Sequence, residues 1–296
     1  MAINKKWTVL ITGMILVLAV LSGCNAKNEE IAEPGIKEEG AKKIVAVSVV
    51  PEASFVKAVC GDLTEVVTMI PPGNSPENYE PTPQEIQKFS DASIYFSIGV
   101  PTEKENIMPN VGENTKVVPL KEAVSSVYAD RMIGESRDPH IWLSPKRAIV
   151  IVETIADEMS KLEPEHKEVY QTNAKEYIAK LEAVDQEIKD ALRDVKNRKF
   201  IVYHPAFGYL ADDYDLEMYA LEEEGKEATA DRLIEMIDFA KEEGIKVIFY
   251  QAEISEGQAK SFAEEIGGET IMLAPLAEDY IDNLSRMANT MAESMQ

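Results

Sequence analysis

From residue 43 onward the chain alternates short apolar runs with longer segments in which apolar residues recur every three or four positions. The runs "KIVAVSVV" (43–50), "EVVTMIP" (65–71), "SIYFSIG" (93–99) and "KVVPL" (116–120) predict buried strands. Between them, "EASFVKAVCG" (52–61) predicts a helix stopped by glycine, and "TPQEIQKFSDA" (82–92) a helix opened by Thr-Pro. The same rhythm returns later. "KFIVYH" (199–204), "LEMYAL" (216–221), "KVIFYQ" (246–251) and "ETIMLAP" (269–275) predict strands. "AFGYLADDY" (206–214), "TADRLIEMIDFAKEEG" (229–244), "EGQAKSFAEEIG" (256–267) and residues 280–295 predict helices. Strands alternating with helices imply parallel βαβ units, and the expected fold class is α/β.

The middle of the chain follows another pattern. Residues 145–162 start with proline in the first helical turn and keep the helical apolar spacing. Pro164 then opens a segment running to Val195 with no glycine and no internal proline. As one helix it would extend ~48 Å, longer than a small domain is wide. Its apolar stripe (Tyr170, Ala174, Tyr177, Leu181, Val184, Ile188, Leu192) suits a coiled-coil strand or a spine packed against two lobes. The seam stops at Val195, which favours the spine. The architecture expected is two α/β lobes with parallel sheets joined by one long rigid helix. The lobes would be residues 44–163 and 197–296, with 164–196 as the linking helix. A continuous helix should restrict clamshell motion, whereas a two-strand hinge would permit it.

The beginning of the chain bears on where the protein works. Lys5 and Lys6 precede an apolar run from Trp7 to Val20, shorter than the ~20 residues that a spanning helix needs. "LSGC" (21–24) resembles a bacterial lipobox rather than an Ala-x-Ala cleavage site. Residues 1–24 are therefore expected to be a lipoprotein signal peptide with Cys24 lipidated, an ordinary secretory signal being the alternative. Residues 25–43 lack aromatic side chains and are expected to form a flexible tether. The expected location is extracytoplasmic, with the chain lipid-anchored to the cell membrane.

Composition narrows the function. The formal net charge is −23 and no basic patch is visible, which excludes nucleic acid as a partner. Only two cysteines are present, so neither a disulfide framework nor a cysteine zinc site can be built from them. Cys60 reads as a small buried hydrophobe on a helix.

Only three histidines occur. His166 follows Pro164 at the start of a charged helix and reads as a surface residue. The other two sit where strands give way to loops, the usual place for ligand sites in α/β folds. One is in "DPHIWLSP" (138–145) and one in "YHPAFGYL" (203–210), and a third such loop is "PPGNSPENYEPTP" (71–83). With the lipobox and the long middle helix, these stretches resemble the solute-binding lipoproteins of ABC importers for zinc and manganese. The resemblance runs from Lys43 to the C-terminus, carried by "DPHIWLSP" together with "HPAFGYL" and "LEEEGKEATADRL".

That resemblance implies a metal held between the lobes by one ligand from each of four loops. His140 and His204 match metal-binding histidines. Glu77 stands where the family usually has a histidine, and Ala274, in "LAPL", where it usually has an aspartate. The histidine-rich loop of zinc-dedicated members is absent from 120–137. Imidazole suits zinc, while a carboxylate moves preference toward Mn²⁺ or Fe²⁺. Two histidines and one glutamate make an open three-ligand site, and Glu253 and Gln251 are possible additional ligands.

The implied function is capture of a divalent transition metal, zinc first, with manganese or iron as alternatives. Delivery would be to an ABC permease with its cytoplasmic ATPase, with no reaction catalysed. Two other readings stay open. One is a scaffold or adhesin with a degenerate metal site, the other a metallohydrolase using the open position for activated water.

Overall fold

The computed structural model describes residues 42–222, 227–254 and 256–295. The expected signal peptide, Cys24 and nearly all of the tether lie outside the described residues.

The first half builds a four-stranded sheet from β1 (Lys43–Val47), β2 (Thr64–Thr68), β3 (Ile94–Ser97) and β4 (Lys116–Pro119). Its order is β2-β1-β3-β4 and every pair is parallel. Val45, Ala46, Val47, Ile94, Tyr95 and Phe96 are all fully buried, which explains why these runs are apolar without alternation. The crossovers are α1 (Val50–Cys60) and α2 (Pro83–Ser90). Thr82 caps α2 by accepting from the Glu85 N–H, and the Glu85 carboxylate accepts from Thr82 N in return. Cys60 ends α1 as a free, buried thiol that desolvation pushes up to about 12. After β4 come α3 (Leu120–Ser125) and a two-stranded hairpin, β5 (Met132–Ile133) with β6 (Ser136–Arg137). These elements are too short to leave a periodic signal in sequence.

α4 (Pro145–Leu162) matches its predicted bounds, with Ser144 accepting from the Arg147 N–H as cap. The expected unbroken helix from Pro164 is corrected at its start. Glu163 is non-helical (φ −133°, ψ 76°), Pro164–His166 form a 3₁₀ turn, and α5 runs Lys167–Leu192. The residue before a proline is pushed out of the helical region, so α4 and the long helix cannot merge. On α5, Tyr170, Ala174, Leu181, Val184, Ile188 and Leu192 are buried, the face that the stripe predicts.

The second sheet contains β7 (Lys199–Val202), β8 (Glu217–Ala220), β9 (Val247–Gln251) and β10 (Glu269–Leu273), in the order β10-β9-β7-β8 and again all parallel. Its helices are α6 (Gly208–Asp213), α7 (Ala230–Glu243), α8 (Gly257–Ile266) and α9 (Tyr280–Ser294). Residues of its central strands alternate between two cores. Phe200, Val202, Val247 and Phe249 join the larger core, while Ile201, Tyr203 and Ile248 pack in a smaller one with Met236 and Ala240 of α7 and Phe262 of α8.

The larger core is continuous from the first sheet through α1, α4, α5 and α9 to the second sheet. α9 packs on α5, and Tyr280 at its start meets Phe55 of α1 edge-on, ring centroids 4.7 Å apart. Tyr280 also donates to the Trp142 carbonyl, and Trp142 Nε1 donates to the Pro275 carbonyl (3.0 Å). The halves are thus locked by shared apolar burial as well as by the long helix.

Candidate metal site

Both sheets are parallel, so the loops after their strands gather at one edge of each; Glu77, His204, Glu222 and Glu253 sit in such loops, whereas His140 follows the antiparallel β5–β6 hairpin. Glu77 follows β2, His204 lies two residues past β7, Glu222 two past β8, and Glu253 two past β9. Because β7 and β8 are parallel neighbours with Val202 opposite Ala220, His204 and Glu222 emerge side by side. The ladder continues past the strand ends, with Glu222 N donating to the Tyr203 carbonyl (2.9 Å).

His140 is fixed by the turn that holds it. The Asp138 carboxylate accepts from His140 N (3.0 Å) and from the His140 ring at Nδ1 (2.8 Å). Pro139 sits between them and restrains the backbone. The Asp138 main chain is held in turn, with its N–H on the Arg131 carbonyl and its carbonyl accepting from Tyr209 Oη (3.2 Å). Trp142 is 1% exposed, its ring centroid 5.2 Å from the His140 ring.

His204 repeats the device from the other half. Its Nδ1 faces a Glu222 carboxylate oxygen at 2.8 Å. A carboxylate can only accept there, so in both rings Nδ1 carries the proton and Nε2 is the free pole. The two Nε2 atoms stand 3.3 Å apart, and Glu77 Oε1 lies 3.6 Å from His204 Nε2. Donor atoms of Glu77, His140 and His204 all fall within 4.8 Å of one another. Two nitrogens on one tetrahedral zinc, with bonds of ~2.0–2.1 Å, are separated by roughly 3.3–3.4 Å. The spacing of the two imidazoles fits two ligands of one such ion, and equally a hydrogen bond between the rings.

The electrostatics favour a cation. His140, His204 and Glu222 are nearly buried and Asp138 is fully so. Arg131 approaches Asp138 Oδ2 no closer than 3.9 Å, and that oxygen has no hydrogen bond. Burial works to lower the His204 pKa. The hydrogen bond to Glu222 and the charges of Glu222, Glu77 and Asp138 outweigh it, and the group sits above its ordinary 6.5.

The cluster touches two cavities. One is tight, with about 10 Å³ for the centre of a water-sized sphere, and is walled by Trp142, Gln251, Glu253, Pro275 and Leu276. That is room for one ion or one water. Gln251 and Glu253 therefore lie at the site, but Glu253 is outside the group of donors within 4.8 Å. Its Oε2 is buried without a hydrogen-bond partner, and desolvation raises its pKa. Ala274 is not in the wall, which begins at Pro275, and its carbonyl accepts from Asn283 Nδ2 (2.7 Å). The second cavity is an open vestibule of about 1070 Å³ on whose surface Glu77, His140 and His204 also appear.

His166 is half-buried in the turn before α5, where it forms a separate group with Glu163 and Glu165. Sequence reasoning passed over Asp138 and Glu222 as partners of the histidines. Asp138 had a local signal, a carboxylate two residues before His140. Glu222 had only its equal offset past a neighbouring strand.

The family model for the zinc-uptake complex component A, periplasmic, matches residues 45–294. The chain is 30% identical over 288 residues to the high-affinity zinc uptake system protein ZnuA of Bacillus subtilis, covering 92% of this chain and 89% of that one. It is 30% identical over 297 residues to the zinc-binding protein AdcA of Streptococcus pyogenes serotype M1, covering 92% of this chain and 56% of AdcA. This chain thus spans about half the length of the AdcA relatives it matches. A crystal structure of ZnuA superposes with a TM-score of 0.81 at 33% identity, covering 86% of this chain and all of that one. The two α/β lobes, the parallel sheets and the long helix between them are features of that shared fold. With the family model spanning nearly every described residue, the chain belongs to the family of the periplasmic component A of zinc-uptake complexes.

Proposed function

We propose that this chain is an extracytoplasmic receptor that captures one zinc ion and delivers it to an ABC permease powered by a cytoplasmic ATPase. The observation that carries the reading is the facing pair of Nε2 atoms, 3.3 Å apart, each ring oriented by a buried carboxylate. Carboxylate–histidine–metal arrangements of this kind fix the tautomer and raise ligand basicity. His140, His204 and Glu77 are the ligands in this reading. Gln251 and Glu253 close the tight side of the site and are the chain's own reserve donors.

Residues 44–163 and 197–296 act as the two lobes and 164–196 as the bridge. Cys24, in the lipobox-like LSGC, carries the lipid anchor in this reading; no helix among the described residues is long and apolar enough to cross a membrane. The chain has no catalytic role in this reading, and release of the ion follows from docking on the permease.

Elemental analysis of the chain purified without chelator tests the proposal, together with zinc uptake by cells lacking it. About one zinc per chain and impaired uptake are expected. Manganese or iron in place of zinc would reassign the cargo. A metal-free chain with normal uptake would favour the scaffold or adhesin, and zinc-dependent hydrolysis would favour the metallohydrolase.

A further inference from the structure

The β5–β6 hairpin leads directly into the turn that holds His140, and its base is closed by Asp138 N donating to the Arg131 carbonyl (2.8 Å). The Tyr209 hydroxyl bonds both sides of that base at once. It accepts from Arg131 N (3.0 Å) and donates its one proton to the Asp138 carbonyl (3.2 Å). Tyr209 comes from the other half of the chain, on α6, five residues after His204. Asp138 is the carboxylate that orients the His140 ring. The hydroxyl is therefore a direct tie between the segment that carries His204 and the turn that carries His140.

The ring that bears this hydroxyl is itself clamped. Tyr209 is fully buried, and the Arg147 guanidinium lies 4.3 Å from its ring centroid. Arg147 is fixed by Asp213 at the end of α6 (3.2 Å) and by Ser144, the cap of α4 (3.2 Å). Arg131 adds a second contact between hairpin and α6, its Nε 3.4 Å from Asp212 Oδ2. Gly208 makes room for that approach, since a Cβ there would stand 2.4 Å from Arg131 Nε. Without the hydroxyl, the Asp138 carbonyl loses a donor in a turn where Asp138 is fully buried. The carboxylate then moves with its backbone, and the His140 ring with the carboxylate. Metal ligands tolerate only about 0.5 Å of such looseness.

We infer that Tyr209 is a positioning residue for the metal: its hydroxyl holds the His140 turn at the distance from His204 that one ion can bridge. This rests on the receptor reading above.

Tyr209→Phe tests the inference, because it keeps the ring beside Arg147 and removes only the hydroxyl. Its zinc affinity should fall by about tenfold, the low end of what groups outside the ligand shell contribute. The visible spectrum of the cobalt-loaded chain, which reports ligand geometry, should change as well. Tyr170→Phe is the control, removing a buried hydroxyl that donates to Glu163 where α4 meets α5 (2.7 Å). It should lower the melting temperature and leave zinc affinity and cobalt spectrum as in wild type. Added to Asp138→Asn, Tyr209→Phe should cost less than its own tenfold, because both changes act on one imidazole. Wild-type affinity and spectrum in Tyr209→Phe would overturn the positioning role and leave the receptor reading intact. An equal loss of affinity in Tyr170→Phe would also overturn it, by assigning the effect to stability alone. Fully multiplicative losses in the double variant would overturn the route through Asp138. A wild-type chain that binds neither zinc nor cobalt would overturn the receptor reading itself.

Discussion

His140 and His204 come from opposite halves of the chain, and their Nε2 atoms meet at 3.3 Å. With both Nδ1 protons directed to Asp138 and Glu222, two lone pairs on nearly buried rings face each other. Such an arrangement needs a positive charge between the rings, either a proton or a metal ion. The continuous core and the Trp142–Pro275 and Tyr280–Trp142 hydrogen bonds hold the halves at that separation. In the proposed reading the fold is thus preorganised for an ion and spends little on closing around it.

Replacing either histidine should remove a metal bond and leave its carboxylate partner buried without a proton donor. His140→Ala and His204→Ala are each expected to weaken zinc binding by more than about 100-fold, beyond the 10–100-fold typical of losses outside the ligand shell. Competition against a chromophoric chelator measures this. Unchanged affinity in either variant would remove that residue from the site.

The orienting carboxylates predict a smaller, separable effect. Glu222→Gln keeps an acceptor for His204 Nδ1 but loses the charge that makes the ring a better donor. Zinc affinity should fall by roughly 10–100-fold with the fold intact, and Asp138→Asn should behave alike. Circular dichroism and zinc titration on the same samples separate the two. A Glu222→Gln protein that binds zinc like wild type would mean that Glu222 serves only packing.

Much of this was legible in the sequence, and the rest was hidden for physical reasons. The strands of both sheets and the bounds of α4 follow from local periodicity, which neighbours in sequence determine. His140 and His204 stood out in the sequence because both lie in loops after short strands, in the motifs that carry the family resemblance. Glu222 escaped notice because its pairing with His204 depends on β7 and β8 being adjacent, a fact of topology and not of spacing. The break at Glu163 was readable from Pro164. The packing of α9 across to α1 was not, because no local pattern says which helix a given apolar face meets.

Tyr280 joins that packing to the site through its hydrogen bond to the Trp142 carbonyl. Tyr280→Phe leaves the ring against Phe55 but deprives a buried carbonyl of its donor, costing about 1–3 kcal/mol. At ~2–4 °C per kcal/mol for a chain of this size, thermal melting should fall by several degrees. A melting temperature equal to wild type would mean that water replaces the hydroxyl.

Zinc binding should depend on pH in a direction set by His204. Against the opposing effect of burial, its carboxylate neighbours hold its pKa above the ordinary 6.5, so the zinc-free fold favours the imidazolium. That proton's contribution to zinc-free stability is fully present below the unfolded value and lost as pH rises through the folded one. Zinc requires the neutral ring, so its own stabilisation runs the other way, greatest above the raised range and lost as pH falls through it. Thermal melts with and without zinc at about pH 5 and about pH 8 should show the larger zinc shift at the higher pH. Equal shifts would exclude His204 as a ligand.

Ala274 offers a test of the donor set itself. It stands where the family resemblance places an aspartate ligand, immediately before Pro275 and Leu276 in the wall of the tight cavity. An aspartate there would add one negative charge and a fourth protein donor to a set that now has three. Ala274→Asp should then bind zinc more tightly, by about tenfold for each 1.4 kcal/mol gained. Titration of wild type and variant with zinc under the same conditions reads the effect. Unchanged zinc affinity would mean that the side chain at 274 does not reach it, leaving Glu253, whose buried Oε2 lacks a partner, as the donor to replace next.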